Sequence, residues 1–305
     1  MKILITGGAG YKGVVLTKQL LDNGNEVTIL DNFLYGYESV LHLVQNKNLT
    51  IIREDVRNLR ESHLKDYDGI YHLGGISGYP ACEANPHSAH LINVEATKTM
   101  ANNLSNDQFI IYASTTSFYG DTGKVCTEEM AIKPVSLYGI TKYHAEQYIM
   151  QRKNSVALRF ATIFGISPKM RIDLLVNDFT YKAVNDRSIV LFESKSKRTF
   201  LHLLDAINAY TFTLDNLDKM RGQIYNVGSN DLNYSKLEIA EHIKKYTNCT
   251  IIDSDLSDFD VRNFEISFEK IASLGYKVTR TLDDGVQELI KLYKFYKPFL
   301  AYKTI

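Results

Sequence analysis

The chain has 305 residues, with 35 Lys and Arg against 35 Asp and Glu, so its formal net charge is zero. This balance argues against a broad nucleic-acid-binding face, which needs excess basic residues to displace counterions from phosphates. Three widely spaced cysteines, Cys82, Cys126 and Cys249, fit neither a disulfide framework nor a zinc ribbon. The N-terminal apolar run is too short for a signal peptide or a membrane span. We therefore expect a soluble cytoplasmic protein without a metal, nucleic-acid or membrane partner.

The first half of the chain alternates short apolar runs with helical patterns. Strands are predicted at 2–6, 26–30, 49–52, 69–73, 108–113 and 155–159. Helices are predicted at 12–21, 86–101 and 138–151. Strands that alternate with helices indicate βαβ units, so we expect an α/β fold with a doubly wound parallel sheet.

The pattern loosens after Phe164. Helices are predicted at 174–185, 205–217, 235–246 and 282–296, and strands at 188–192 and 223–227. Ser235 and Glu238 have the spacing of a capping box at the start of the third of these helices. The second half is therefore also expected to mix helices and strands.

A glycine-rich loop follows the first predicted strand, with glycines at positions 7, 8, 10 and 13. Glycines place no Cβ between the backbone and a ligand, and the following helix directs N–H groups and the positive end of its dipole at the same place. The second strand ends at Asp31, whose carboxylate can accept hydrogen bonds from an adenosine ribose. This context predicts a dinucleotide site formed by Gly7, Gly10, Tyr11, Lys12, Gly13, Asp31 and Asn32.

Asp31 favours NAD over NADP, because its charge would repel a 2′-phosphate. Lys12 beside the glycines could reach such a phosphate, although a solvated lysine in the first helical turn is the more ordinary interpretation. Further cofactor contacts are expected where the third and fourth strands end. These are Asp55 and Val56, which could border the adenine, and Leu73, Gly74 and Gly75, where small residues let a cofactor pass close to the backbone.

Tyr138 and Lys142 stand four positions apart in a predicted helix and therefore share one face. A nearby ammonium favours the phenolate, so Tyr138 could act as a general base, and Lys142 could also bind a nicotinamide ribose. The buried strand before them ends in a hydroxyl cluster at 114–117, and the carboxyl ends of parallel strands line the ligand crevice. Thr115 or Ser117 could hold a substrate hydroxyl while Tyr138 takes its proton.

The Tyr-x-x-x-Lys spacing is common by chance, and it recurs at Tyr293 and Lys297. That second copy lies in the C-terminal tail with no cofactor strand before it, so we interpret it as a coincidence. The hydroxyl cluster by itself would more often be a helix cap or a turn. The glycine loop upstream is what favours a catalytic role for Tyr138.

Together these residues resemble the extended short-chain dehydrogenase/reductase family, specifically its nucleotide-sugar epimerases, dehydratases and reductases. The resemblance covers nearly the whole chain. It rests on TGGAGYKG at 6–13, HLGG at 72–75, YASTTSFYG at 112–120, YGITK at 138–142, LRF at 158–160, RTFLH at 198–202, YNVG at 225–228 and DVRNF at 260–264. It implies a Rossmann-type NAD-binding domain at 1–164 plus 201–228, interlocked with a smaller α/β nucleotide-sugar-binding domain at 165–200 plus 229–305.

The resemblance also implies roles for single residues. Thr115, Tyr138 and Lys142 take the catalytic positions, and Asn93 takes a structural or cofactor-side position. Substrate contacts are assigned to Ser117, Thr162, Arg171, Asn177, Arg198 and Arg262. The family uses arginines at the last two positions to clamp the substrate diphosphate, as a guanidinium can pair a phosphate bidentately.

The chain departs from the family pattern at three places. Thr116 and Ser117 replace the acidic pair of the 4,6-dehydratase branch, which argues against dehydration. Lys12 replaces an apolar residue, and Gly74 and Gly75 replace alanines. These changes leave the catalytic residues in place, although the glycines are expected to alter how tightly the nicotinamide is held.

The implied activity is NAD-dependent oxidation at C4 of a nucleotide-activated sugar. The stretch 160–179 looks most like a subgroup that modifies sugars for bacterial surface polysaccharides, which includes GDP-heptose 4-dehydrogenases, and this favours a 4-dehydrogenase. A 4-epimerase or a 4-keto-sugar reductase stays open, because the outcome depends on the room around the sugar. A non-catalytic NAD-binding regulator would usually lack Tyr138 or Lys142.

The family also implies a homodimer, formed through the helix that carries Tyr138 and the helix after Pro86.

Overall fold

The computed structural model describes residues 1–254 and 263–298. The strands in these ranges are β1 (Lys2–Thr6), β2 (Glu26–Asp31), β3 (Leu49–Arg53), β4 (Gly69–His72), β5 (Phe109–Thr115), β6 (Asp121–Cys126), β7 (Ser155–Phe160), β8 (Thr162–Phe164), β9 (Ser188–Phe192), β10 (Lys197–His202), β11 (Gln223–Val227), β12 (Asn233–Ser235), β13 (Thr250–Ser254) and β14 (Asn263–Ile266).

The helices of the same ranges are α1 (Gly13–Asp22), α2 (Tyr79–Ala84), α3 (Pro86–His90), α4 (Ala96–Asn103), α5 (Leu137–Met150), α6 (Leu175–Asn185), α7 (Leu203–Asp215), α8 (Leu217–Met220), α9 (Lys236–Lys244), α10 (Glu269–Ser273) and α11 (Leu282–Tyr293). A π-helical turn at Leu91–Glu95 joins α3 to α4, so the helix predicted at 86–101 is present as one interrupted run. Among these helices none is long and apolar enough to span a membrane.

A seven-stranded parallel sheet forms the centre of the protein, in the order β11-β7-β5-β4-β1-β2-β3. The chain winds from β1 outward to β3, then crosses back to β4 and continues to β11. This is the doubly wound, Rossmann-type arrangement, and it confirms the predicted fold class. The winding direction reverses between β1 and β4, so ligands of such sheets bind at the carboxyl ends of these strands.

The central strands are apolar because both faces of the sheet are covered. Every residue of β5 and β7 is buried, as are Ile3, Leu4 and Ile5 of β1. Leu16 and Tyr210 bring α1 and α7 into the core on one face, and Met100 and Ile149 bring α4 and α5 into the core on the other. The sheet edge that carries the ligand site is thereby held rigid from both sides.

The second half of the chain adds smaller sheets beside the large one. Strand β10 pairs with β8 and β12, and β9 pairs with β13. Helices α6, α9 and α11 pack with β9 around Val176, Ile239 and Leu289 in a second apolar cluster. The capping box of α9 forms as predicted, because Glu238 Oε2 accepts from the Ser235 N–H at 2.7 Å.

Short strands account for most differences from the predicted elements. Strands β6, β8, β10, β12 and β14 have three to six residues and were not predicted. Strands β6, β8 and β10 show no strict alternation of apolar and polar side chains, and the alternation in β12 and β14 covers only three and four residues. The strand predicted at 108–113 continues to Thr115. That extension matters, because it places the hydroxyl of Thr115 at the carboxyl end of a central strand.

Candidate active site

The glycine loop lies at the reversal point of the sheet and packs against the end of β4. Gly7 has φ +70°, and a Cβ there would lie 2.7 Å from the Gly74 nitrogen. A Cβ on Gly13 would lie 2.2 Å from the Gly7 carbonyl oxygen. Only glycine therefore fits at both positions, and the backbone of the loop stays bare at the N-terminus of α1. This cradle fits the diphosphate of a dinucleotide.

Asp31 ties the loop to the end of β2. Its carboxylate accepts hydrogen bonds from the Ala9 N–H at 3.0 Å and the Phe33 N–H at 2.9 Å. Burial raises the pKa of Asp31, and these backbone donors act against that rise. Carboxylate oxygens have further lone pairs, so Asp31 can still accept from a ribose hydroxyl.

The residues predicted to border the adenine end of the cofactor lie after β2 and β3. Asn32 hydrogen-bonds the carboxylate of Asp55, which also pairs with Arg57 at 2.8 Å. Val56 lies against the β4 end, because a Cβ on Gly74 would be 3.1 Å from its Cγ1. The structure thus brings Asn32, Asp55 and Val56 to one side of the glycine loop.

Asn93 supports the site through the backbone. Its Oδ1 accepts from the Ile76 N–H at 2.8 Å, and its Nδ2 donates to the Ile76 carbonyl at 2.9 Å and to Thr141 Oγ1 at 3.1 Å. The amide of Asn93 is thus engaged within the protein, which favours the structural one of its two predicted roles over a contact with the cofactor. A Cβ on Gly75 would lie 2.8 Å from Asn93 Oδ1, which explains the glycine where the family pattern has alanine.

The predicted catalytic side chains meet where β5 ends and α5 begins. Ser136 caps α5 by accepting from the Gly139 N–H at 3.1 Å, which fixes the first turn that carries Tyr138. Thr115 hydrogen-bonds the phenol of Tyr138 and donates to Ser117 Oγ at 3.0 Å. Strand, cap and helix together hold two hydroxyls and a phenol at one point of the cleft.

The pKa of Tyr138 reflects its burial and the polar groups around the phenol. Burial raises the pKa of Tyr138, while its hydrogen bonds with Ser77 and Thr115 and the charge of Arg171 oppose that rise. The buried Lys142 is itself affected, because desolvation, followed by the charge of Lys12, lowers its pKa to about 7. The stabilisation of the phenolate by Lys142 stays a prediction.

Lys12 occupies the catalytic cleft. Its Nζ lies 4.3 Å from the centroid of the Phe160 ring and 5.7 Å from that of Tyr210. Phe160 ends β7, four strands from β2 in the sheet, so Lys12 extends toward the side opposite Asp31. The interpretation as a solvated lysine is wrong, and its extension does not favour contact with a 2′-phosphate. Burial lowers the pKa of Lys12 to about 7, and the charge of Arg171 adds to this.

Tyr11 connects the glycine loop to the second half of the chain. Its hydroxyl donates to the Gly165 carbonyl at 2.7 Å, and its own carbonyl accepts from Ser167 Oγ at 2.8 Å. Asn177 accepts from the Gly165 N–H at 3.0 Å and donates to the Arg171 carbonyl at 2.8 Å. Asn177 is fully buried and hydrogen-bonds neighbouring backbone groups here, and its contact with the substrate stays a prediction.

Arg171 crosses the cleft toward the loop after β4. Its guanidinium pairs with Asp173 and donates to Ser77 Oγ at 3.2 Å. Since Ser77 also hydrogen-bonds Tyr138, one hydroxyl connects the arginine to the phenol. Sequence reasoning missed Ser77, although a hydroxyl four residues after a central strand was a usable signal.

The remaining predicted substrate residues lie on other elements. Thr162 is in β8 and pairs in register with Phe200. Arg198 is buried in β10, opposite Tyr234 of β12. Arg262 lies outside the described residues. Within those residues, no group of three or more His, Cys, Asp or Glu side chains could hold a metal ion.

Comparison with known proteins identifies the family. A family model described as the NAD dependent epimerase/dehydratase family matches residues 3–228. The chain belongs to this family. It is therefore an enzyme of the extended short-chain dehydrogenase/reductase group that acts on nucleotide sugars, with NAD as its cofactor.

Several relatives of this epimerase/dehydratase family member carry functional names. An uncharacterized UDP-glucose epimerase of Bacillus subtilis is 29% identical over 245 residues, covering 75% of this chain and 77% of the relative. The CDP-paratose 2-epimerase of Salmonella typhi is 28% identical, covering 95% and 98%. A crystal structure of a UDP-glucuronic acid 4-epimerase from Bacillus cereus with NAD has a TM-score of 0.85 at 25% identity, covering 99% of this chain and 100% of that one.

Proposed function

We propose that this enzyme is a nucleotide-sugar 4-epimerase that removes and returns hydrogen at C4 of the sugar. The observation that carries the proposal is the phenol of Tyr138, hydrogen-bonded to Thr115 and Ser77 at the carboxyl end of β5, with Lys142 one turn further along α5. This arrangement can hold a sugar hydroxyl and take its proton. The relatives named as epimerases support the return of hydride over release of a keto sugar.

The mechanism assigns a role to each side chain. Thr115 orients the C4 hydroxyl, and Tyr138 takes its proton as C4 is oxidised and gives it back when C4 is reduced. Lys142, one turn further along α5, is assigned to bind a ribose hydroxyl. NAD, when bound, accepts the hydride from C4 and returns it. For an epimerase, the sugar must present its other face before the return.

The substrate we propose is a UDP-linked sugar, with UDP-glucuronic acid as the first candidate. The relatives reported above act, by name, on UDP- and CDP-sugars, which gives no support to the GDP-heptose preference that the sequence suggested. Arg171, next to Ser77 at the mouth of the catalytic pocket, can pair with an anionic group of the sugar nucleotide. We assign Ser117, Thr162 and Arg198 to the same side of the cleft.

The test is a product assay with a nucleotide-sugar panel. Purified enzyme is incubated with UDP-glucuronic acid, UDP-glucose, CDP-linked and GDP-linked sugars, and products are separated by chromatography and identified by proton NMR. We expect conversion of a UDP-sugar to its C4 epimer without net NADH formation. Stoichiometric NADH with a 4-keto product would instead establish a 4-dehydrogenase, and turnover of GDP-heptose alone would contradict the UDP assignment.

We also propose that the enzyme acts as a homodimer through α4 and α5. The two helices pack against each other on one face of the sheet, and α5 leaves Ile140 and His144 exposed. Analytical ultracentrifugation should give a species of twice the chain mass. A monomer at micromolar concentration would contradict this.

A further inference from the structure

Lys12 brings a positive charge into the catalytic cleft, and the proposed chemistry makes no use of it. Its Nζ contacts the rings of Phe160 and Tyr210, at 4.3 and 5.7 Å from their centroids. Among residues 1–254 and 263–298 no carboxylate forms an ion pair with it. An ammonium that is partly withdrawn from water and held against aromatic rings interacts strongly with any charge placed beside it.

The position of this charge follows from the sheet register. Phe160 of β7 pairs with Thr115 of β5, and neighbouring strands lie about 4.8 Å apart. Lys12 therefore sits over the ring adjacent to the hydroxyl that we assign to the substrate. The charge of Lys12 also contributes, after burial, to the lowered pKa of Lys142.

Any hydride acceptor used by this site must lie beside the carbon whose hydroxyl is held by Thr115 and Tyr138. It is therefore close to both lysines. The oxidised nicotinamide ring carries a positive charge, whereas the reduced ring is neutral. A second positive charge in a space of low dielectric raises the free energy of the oxidised form and leaves that of the reduced form nearly unchanged.

We propose that Lys12 sets the balance between the two oxidation states of the bound cofactor, favouring NADH over NAD⁺. The inference requires only that NAD binds, and it goes beyond the proposed epimerase activity. It gives a function to the lysine that stands where the family pattern has an apolar residue. With this charge present, the site holds the reduced cofactor firmly while the sugar is in its oxidised form.

The experiment measures dissociation constants for NAD⁺ and NADH at pH 6.5, without sugar, on protein freed of nucleotide. Calorimetry is used for both forms, and NADH fluorescence provides a second measurement. The variants are Lys12→Met and Lys12→Gln, which remove the charge, and Lys12→Arg, which keeps it. Lys18→Met is the matched control, because Lys18 lies on α1, directly after Lys12, but is exposed and paired with Asp22.

We expect both neutral variants to lower the ratio of the NAD⁺ to the NADH dissociation constant by about tenfold. The ratio should stay at the wild-type value in Lys12→Arg and Lys18→Met. A merely structural role would change both constants together and leave the ratio unchanged, and that result in either neutral variant would overturn the inference. A wild-type protein that binds neither form would overturn the inference and the cofactor assignment together.

Discussion

Two charged clusters lie under the same sheet edge, and they are built in opposite ways. Arg159 and Glu146 are 2% and 0% exposed and pair at 2.7 Å. Glu146 also accepts from Ser114 Oγ at 2.6 Å, and Arg159 donates to the Tyr119 hydroxyl at 2.8 Å and to the Glu128 carbonyl at 3.2 Å. Each charge in this cluster is matched by partners within the protein.

Lys12 and Lys142 form the second cluster, in the cleft itself. Their ammonium groups meet aromatic rings, at 4.3 Å from the Phe160 centroid and 4.0 Å from the Tyr112 centroid. Burial lowers the pKa of both lysines. The fully paired charges hold β5, β7 and α5 together, whereas the two lysines form no ion pair with a carboxylate among the described residues, and we propose that they act on a ligand.

The largest expected effect is on catalysis. Tyr138→Phe should reduce turnover by about 100- to 10,000-fold, because the proton acceptor is lost, while the free energy of unfolding changes little. The matched control is Tyr293→Phe, since Tyr293 belongs to the second Tyr-x-x-x-Lys copy and its buried hydroxyl has no hydrogen-bond partner among the described residues. Steady-state kinetics measures the turnover of each variant, and urea unfolding measures its free energy of unfolding. Equal turnover in the two variants would remove Tyr138 from the mechanism.

The next effect concerns the paired cluster. Glu146→Gln should lower the free energy of unfolding by about 3–5 kcal/mol, because Arg159 is left as a buried charge without its counterion. Urea denaturation at pH 7 measures the change. The double variant Glu146→Leu with Arg159→Met should recover most of the loss. If the single variant lost less than about 1 kcal/mol, the pair would not have the structural role assigned to it.

A smaller effect appears in the pH dependence of stability. The pKa of Lys142 is about 7 in the folded protein and near 10.5 in the unfolded chain, so between these values the unfolded chain binds the additional proton. Its burial therefore destabilises the fold fully below pH 7, and the penalty is relieved as pH rises. Lys142→Met should remove about 1.4 kcal/mol per pH unit from the slope of unfolding free energy between pH 7.5 and 9. An unchanged slope would contradict the burial of a titrating amine.

The smallest effect is expected on the surface. Lys18 and Asp22 pair on α1 with 57% and 54% of their side chains exposed. Lys18→Met should change the free energy of unfolding by less than about 0.5 kcal/mol, because water screens an exposed pair. Thermal and urea denaturation of Lys18→Met and Glu146→Gln under the same conditions compare the two losses of stability. A loss near that of the buried variant would mean that pairing, rather than burial, determines the cost.

Local patterns were sufficient for most of the fold. The apolar runs and the glycine loop predicted β1 to β5 and β7 in order, because buried parallel strands and the helix start after them leave short-range signatures. The Tyr-x-x-x-Lys spacing and the hydroxyls at 114–117 likewise indicated the catalytic point. The short strands β6, β8, β10, β12 and β14 lie outside the seven-stranded sheet and lack the long apolar runs of its buried strands.

The sequence by itself determined the kind of fold and the cofactor, and it supplied the prediction that Thr115, Tyr138 and Lys142 are the catalytic residues. The tertiary structure decided which side chains face the cleft. It turned Lys12 inward over Phe160, placed Ser77 beside Tyr138 and committed Asn177 to the backbone of its neighbours. The physical reason is the separation along the sequence between the residues that interact. A helix cap or a glycine turn is fixed by residues a few positions apart, whereas Lys12 meets Phe160 only when strands far apart in the chain pack into one sheet.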